Sequence, residues 1–112
     1  MLIAFAISAN GNEAWVAVES RGEVLQLDLA HLKAKQPISR TFIVGKAPVY
    51  TLPDAFDRKL FVANSGSDTV SELCLSTGRT RVTRTTGKQP RFLIGGLALY
   101  ALNVGSNSVS VF

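Results

Sequence analysis

Hydrophobic positions along this chain fall in short alternating runs, cut at regular intervals by small polar residues. AWVAV at 14–18, LFVAN at 60–64 and LYALN at 99–103 are rich in valine, leucine and aromatic residues, the composition of half-buried strands. The runs are bounded by Asn-Gly at 10–11, Ser-Gly-Ser-Asp at 65–68, Ser-Thr-Gly at 76–78 and Gly-Gly at 95–96. Such residues supply the positive φ angles or side-chain turn bonds that tight hairpins need. The pattern predicts strands at about 2–8, 14–18, 23–28 and 40–44, then 48–54, 59–63, 69–75 and 79–85, then 91–94, 97–103 and 108–112. Several are apolar on both alternating faces, with Leu25, Leu27 and Leu29 opposite Val24, and Leu73 and Leu75 opposite Val70 and Cys74. A sheet built from them needs cover on both sides. The segment Ala30 to Gln36, stopped by Pro37, is too short for an independent helix and reads as a loop with one turn.

The runs also repeat. FVANSGSDTVSEL at 61–73 aligns without gaps on YALNVGSNSVSVF at 100–112, sharing Asn64/Asn103, Gly66/Gly105, Ser67/Ser106, Val70/Val109 and Ser71/Ser110 at an offset of 39. Gly45-Lys46-Ala47-Pro48 precedes the first phrase and Gly87-Lys88-Gln89-Pro90 the second, at an offset of 42, so the two markers travel together. A more worn copy opens the chain, where AWVAV and ESRGEV at 14–24 match 60–70 at an offset of 46. Self-similarity near 40 residues marks stacked supersecondary units, here of four strands each with only three in the last.

The aromatic-valine-Asn stretch Phe61-Val62-Ala63-Asn64, the turn Gly66 to Ser71, Thr77-Gly78 and Val44-Gly45-Lys46-Ala47-Pro48 together resemble the YVTN-type repeat of β-propellers. The resemblance covers nearly the whole chain. It implies an all-β partial propeller: about two complete four-stranded antiparallel blades plus three strands of a third, in a single domain 1–112. Blade 1 would span about 1–45, blade 2 about 46–86 and incomplete blade 3 about 87–112. Members of that family form seven-bladed rings, many exported to the periplasm or cell surface, and serve as propeller parts of redox enzymes. Lactonase-type propellers, which hydrolyse sugar lactones, are a close cousin. The first copy departs from the pattern, with Val18 for the Asn and no Gly-Ser turn, and Gly95-Gly96 replaces a longer turn. Rings use about four to eight blades, so this count does not close one. The flat end faces then call for a partner, either copies of the chain or the missing blades of a larger propeller.

Composition narrows the classes little further. With 112 residues, 46% hydrophobic, the chain can build its own core. Its longest apolar run, Met1 to Ile7, is far below the roughly 18 to 20 residues of a membrane span. That start lacks the charged region and cleavage site of a secretory signal, which leaves the compartment unknown. The net charge of +4 permits weak attraction to polyanions, but the densest basic stretch is Arg79, Arg81 and Arg84, read as a charged strand edge with Arg79 and Arg81 on one face. Nucleic acid binding is disfavoured, since stacking needs exposed aromatics and Trp15, Phe61 and Tyr100 read as core.

The residues for catalysis are scarce. His31 is the sole histidine and Cys74 the sole cysteine, so a histidine metal cluster, a Cys-His pair and an internal disulfide lack material. Cys74 reads as a buried small hydrophobe and His31 as a loop residue. No G-x-S-x-G occurs, and neither Gly-Lys pair is followed by Ser or Thr as in a phosphate loop. Asp54, Asp57 and Asp68 do not space as a calcium loop, and Asn64 and Asn103 read as turn residues bonding their own backbone. No cofactor is expected. In propellers the loops entering each innermost strand and those joining second to third strands share one face. That rim would carry Lys46, Lys88, Arg91, Ser67, Asp68, Ser106 and Asn107, and its repeated basic groups could collect an anionic ligand. The expected function is a non-catalytic binding or scaffold module, with a piece of a lactonase-type or redox-enzyme propeller as the alternative.

Overall fold

Alternating apolar runs separated by turn-forming residues fold as hairpins, and each hairpin pairs with the next. The computed structural model describes residues 2–31, 37–54 and 58–112, without the side chains of Leu2, Ile3, His31 and Arg81. Strands β1 (Leu2–Ile7), β2 (Glu13–Val18), β3 (Glu23–Asp28) and β4 (Ile38–Ile43) form one antiparallel sheet in that order. Strands β5 (Pro48–Pro53), β6 (Lys59–Asn64), β7 (Thr69–Cys74) and β8 (Arg79–Thr85) form a second. The third has β9 (Pro90–Ile94), β10 (Tyr100–Asn103) and β11 (Ser108–Val111).

The strands lie close to the positions that the periodicity predicts. The largest shift is at β10, which starts at Tyr100 rather than at residue 97: the Gly95-Gly96 turn carries the chain through a bend and leaves Leu97 fully exposed. Of the segment Ala30 to Gln36, the structure describes only the end of a 3-10 turn, Leu29–His31; residues 32–36 lie outside the described residues, as does Asp57. In β8, Glu72 pairs with Val82 and Leu73 with Thr80, so the backbone of Arg81 falls in a register shift.

The sheets stack face to face, with β1 and β2 against β5, and β5 and β6 against β9. Trp15, Val24 and Phe42 of the first sheet interlock with Leu60, Val62, Leu73 and Leu75 of the second. Ala63, Val70 and Phe61 of the second meet Leu93, Leu99 and Ala101 of the third. The second sheet is thus covered on both faces, which accounts for its near-continuous apolar strands. The chain is all-β, a partial propeller of two four-stranded blades and three strands of a third.

Each stacked interface also buries polar groups, most of them paired, while Asn64 Oδ1 and Asn103 Oδ1 are buried without a hydrogen-bond partner. Between the first two sheets, Trp15 Nε1 and Arg40 Nη2 both donate to Gln26 Oε1 (3.1 and 2.9 Å), while Gln26 Nε2 donates to Glu13 Oε2 (3.0 Å). Arg40 also lies over the Phe42 ring, 5.2 Å from its centroid. On the equivalent position of the second sheet, buried Glu72 lies 4.0 Å from both Lys59 and Arg84. Tyr100 corrects the expectation that all three repeat aromatics are core. Trp15 is 1% exposed, but Tyr100, at the same repeat position, is 37% exposed, because no sheet among the described residues packs on its face of the third sheet.

Candidate rim site

The loops entering β5 and β9 and the turns β6–β7 and β10–β11 share one end of the stack, and hydrogen bonds join them in pairs. The backbone amides of Ser65 and Gly66 donate to the carbonyls of Ala47 and Lys46, each at 3.0 Å. Lys46 N in turn donates to Ser67 Oγ (3.2 Å). The third sheet repeats the arrangement: Val104 N and Gly105 N donate to the carbonyls of Gln89 (3.1 Å) and Lys88 (3.0 Å), and Lys88 N donates to Ser106 Oγ (2.9 Å). The Gly-Lys-x-Pro connector and the Asn-x-Gly-Ser turn are therefore halves of one hydrogen-bonded unit, which explains why the two markers travel together. The glycine has a steric role too, since a Cβ on Gly45 would sit 2.5 Å from Ser67 Oγ and 2.7 Å from Asn64 Cγ.

Asn64 and Asn103 lock the hairpins in a manner that the sequence reading missed. Each spends its side-chain amide on hydroxyls across the hairpin rather than on its own backbone. Asn64 Nδ2 donates to Ser71 Oγ (2.9 Å) and Thr69 Oγ1 (3.2 Å), and Asn103 Nδ2 to Ser110 Oγ (2.9 Å) and Ser108 Oγ (3.3 Å).

The predicted rim residues are only partly brought together. Lys46 meets Ser67, and Lys88 meets Ser106, through their backbone amides. Asp68, in the left-handed region at φ 55°, accepts from Gln89 N (2.9 Å) and lies 3.4 Å from Lys88 Nζ, so it ties the turn of the second sheet to the connector of the third. The Gln89 amide above all holds its carboxyl below the usual value of 3.8, against an opposing desolvation smaller than the amide's effect and with further lowering from Lys88. This carboxylate offsets part of the positive charge of Lys88. Asn107, at the equivalent turn position with φ 56°, is exposed, and so is Arg91 on β9. A groove of about 420 Å³ opens beside Lys46 between the first two sheets, lined by Glu19, Arg21, Val44 and Ser67 among others. Sequence reasoning passed over Arg21, although its place just before Gly22, the counterpart of Asp68 at an offset of 46, was a usable signal.

The opposite end of the stack holds a cleft of about 680 Å³ between the first two sheets, lined by Gln26, Arg40, Arg58, Lys59 and Cys74. Cys74 is half-buried rather than buried, because β7 ends there and the chain turns outward. Its sulfur lies 3.2 Å from Ser76 Oγ. Hydrogen bonds from the Ser76 and Thr77 side chains, with weaker help from backbone amides, lower the thiol pKa from 9.0 to about 6. Among the described residues, no three His, Cys, Asp or Glu side chains converge as a metal site would require.

No protein-family model matches the chain, and no curated protein matches it. Solved structures share its fold. The periplasmic gluconolactonase PpgL of Pseudomonas aeruginosa superposes with a TM-score of 0.80 at 21% identity, over 99% of this chain and 35% of that one. A Bacteroides fragilis protein with a provisional 6-phosphogluconolactonase assignment gives 0.79 at 16% identity, over 99% and 34%. Hydrazine synthase of Kuenenia stuttgartiensis gives 0.77 at 16% identity, over 96% and 34%. The chain spans about a third of the length of each of these neighbours.

Proposed function

We propose that this chain is a non-catalytic binding or scaffold module, a sector of a YVTN-type propeller whose rim collects a small anionic ligand. Its single domain, 1–112, divides into blades at about 1–45, 46–86 and 87–112, and the remainder of the ring comes from further blades or further copies. The observation that carries this reading is the duplicated connector-turn unit. It presents Lys46 and Lys88 at equivalent places on one rim, with Arg21 on the groove beside Lys46. Repeated cations around a rim raise the local concentration of an anion even where each contact is weak. Arg91 adds charge at the start of the innermost strand, while Ser67, Ser106 and Asn107 offer hydroxyl and amide groups and Asp68 restrains Lys88.

Titration with inorganic phosphate and with gluconate, followed by amide chemical shifts, tests the rim. Shifts concentrated at Lys46, Lys88 and Arg91, with affinity falling roughly tenfold or more in the triple alanine variant, are expected. Unchanged binding in that variant removes the rim from the account.

One observation favours a second reading. The likeness to a periplasmic gluconolactonase suits a piece of a lactone-hydrolysing propeller. Measurable hydrolysis of gluconolactone by the purified chain, above the spontaneous rate, would replace the scaffold reading.

A further inference from the structure

We infer that the two apolar faces at the ends of the stack cover each other, the third sheet of one copy packing on the first sheet of the next in a head-to-tail contact. This rests on the propeller-sector part of the reading above and names the partner as a second copy of this chain. The stacking inside one chain gives the geometry. At each internal interface an aromatic of one sheet faces the innermost strand of the next. Trp15 packs into the second sheet, and Thr51 Oγ1 on β5 donates to the Trp15 carbonyl at 3.4 Å. Phe61 packs likewise into the third sheet near Leu93 and Leu99. Tyr100 is the next aromatic in this series and half-open. Phe5 of the first sheet is the counterpart of Thr51 at an offset of 46, and it is 69% exposed. Continuing the series puts Tyr100 of one copy against Phe5 of the next.

Polarity separates the end faces from the internal ones and matches them to each other. Internal interfaces bury Gln26 and Glu72 on the side facing the next sheet. On the other side they bury Asn64 with Ser71, and Asn103 with half-buried Ser110. At the open face of the third sheet, Val111 takes the place of Gln26 and Glu72. At the open face of the first, Val18 and Leu25 take the places of the Asn and the Ser. Both ends have lost the polar group at its usual register. A polar or charged partner would leave its own groups unpaired against these apolar registers, whereas Val111 on one face and Val18 and Leu25 on the other leave no polar group unpaired at those positions. The contact joins unlike faces, so it closes into a ring or propagates as a filament.

Light scattering on a sizing column, with the variants Val111→Glu and Phe5→Glu, tests this. The wild-type chain, 12.0 kDa, is expected at a discrete multiple of that mass, or as a filament that either substitution disperses. Each variant alone is expected to be a folded monomer, since either one blocks every contact. Mixed in equal amounts, they should form a one-to-one dimer and nothing larger, because one intact face of each kind remains. Circular dichroism and a cooperative denaturant transition verify folding; Ile94→Lys and Ile7→Lys serve as second variants if a glutamate fails to fold. A folded wild-type monomer overturns the inference. So does an assembly that survives either substitution, which would mean like faces pairing, and so does failure of the mixed variants to dimerise. Phosphate titration of the same samples separates the two proposals: a monomer that binds phosphate overturns only the copy contact, and an oligomer that does not overturns only the anion rim.

Discussion

The first and second sheets put opposite chemistry at the same register. At the end of β6, Asn64 is fully buried and bridges to Ser71 and Thr69; at the end of β2, Val18 occupies that place and Leu25 replaces the serine. The second sheet spends this polar lock on a face packed against a neighbour, while no sheet among the described residues packs on the first sheet's corresponding face, although Val18 itself is buried. The same contrast holds for the aromatics, with Trp15 inside an interface and Tyr100 at the end of the stack. What differs between the regions is therefore not the strand pattern, which is common to all three sheets, but whether a neighbouring sheet packs over what the face presents.

The aromatic comparison gives the largest expected effect. Trp15→Ala empties the centre of an interface and should cost about 3–5 kcal/mol in denaturant unfolding. Tyr100→Ala in the monomeric background, set by Val111→Glu, should cost no more than about 1 kcal/mol. Equal losses would erase the distinction between internal and end positions.

Next comes the polar lock. Val18→Asn places an amide where no hydroxyl waits for it and should destabilise by about 1–3 kcal/mol. Adding Leu25→Ser in the same chain supplies the partner that Asn64 has in Ser71, so the double variant should be more stable than the sum of the two single losses. Strict additivity would mean that the lock is not transferable between sheets.

The smallest effect belongs to the rim. The folded-state pKa of Asp68 is depressed by the Gln89 amide and Lys88, so its contribution to stability is full above the unfolded value of about 3.8 and is lost as pH falls through the lower folded value. Thermal denaturation between pH 2 and 5 should show wild type more stable than Asp68→Asn at pH 5, with the gap closing in acid. Asn107→Asp, at the equivalent turn to which no described connector is bonded, should add no such pH dependence in this chain. A gap that persists at pH 2 would locate the effect of Asp68 outside its carboxylate.

Much of the fold was legible in the sequence because strand and turn chemistry are local. Asn-Gly, Ser-Gly-Ser-Asp and Ser-Thr-Gly mark hairpins whatever surrounds them, and the repeat fixes how many hairpins share a sheet. The start of β10 was misplaced because Leu97 is apolar and yet only continues the bend from Gly95-Gly96. The site was less legible, since its contacts cross between units. That Asp68 bonds the connector of the next sheet, that Asn64 reaches hydroxyls across its hairpin, and that Arg21 borders the groove beside Lys46 all depend on which loops become neighbours in space. Strand alternation reads Cys74 as buried because it does not show where β7 gives way to the turn whose hydroxyls bond its sulfur.

A covalent trap tests the matching of the two end faces most directly. In a Cys74→Ser chain, cysteines replace Phe5 and Tyr100, which lie on opposite open faces of a stack whose longest dimension is 43 Å, and the protein is oxidised. Rapid disulfide formation between chains is expected, giving a single covalent oligomer or a ladder, and none in chains carrying either cysteine alone. Chains that stay monomeric on oxidation, or that cross-link equally well through Tyr100→Cys alone, would contradict it.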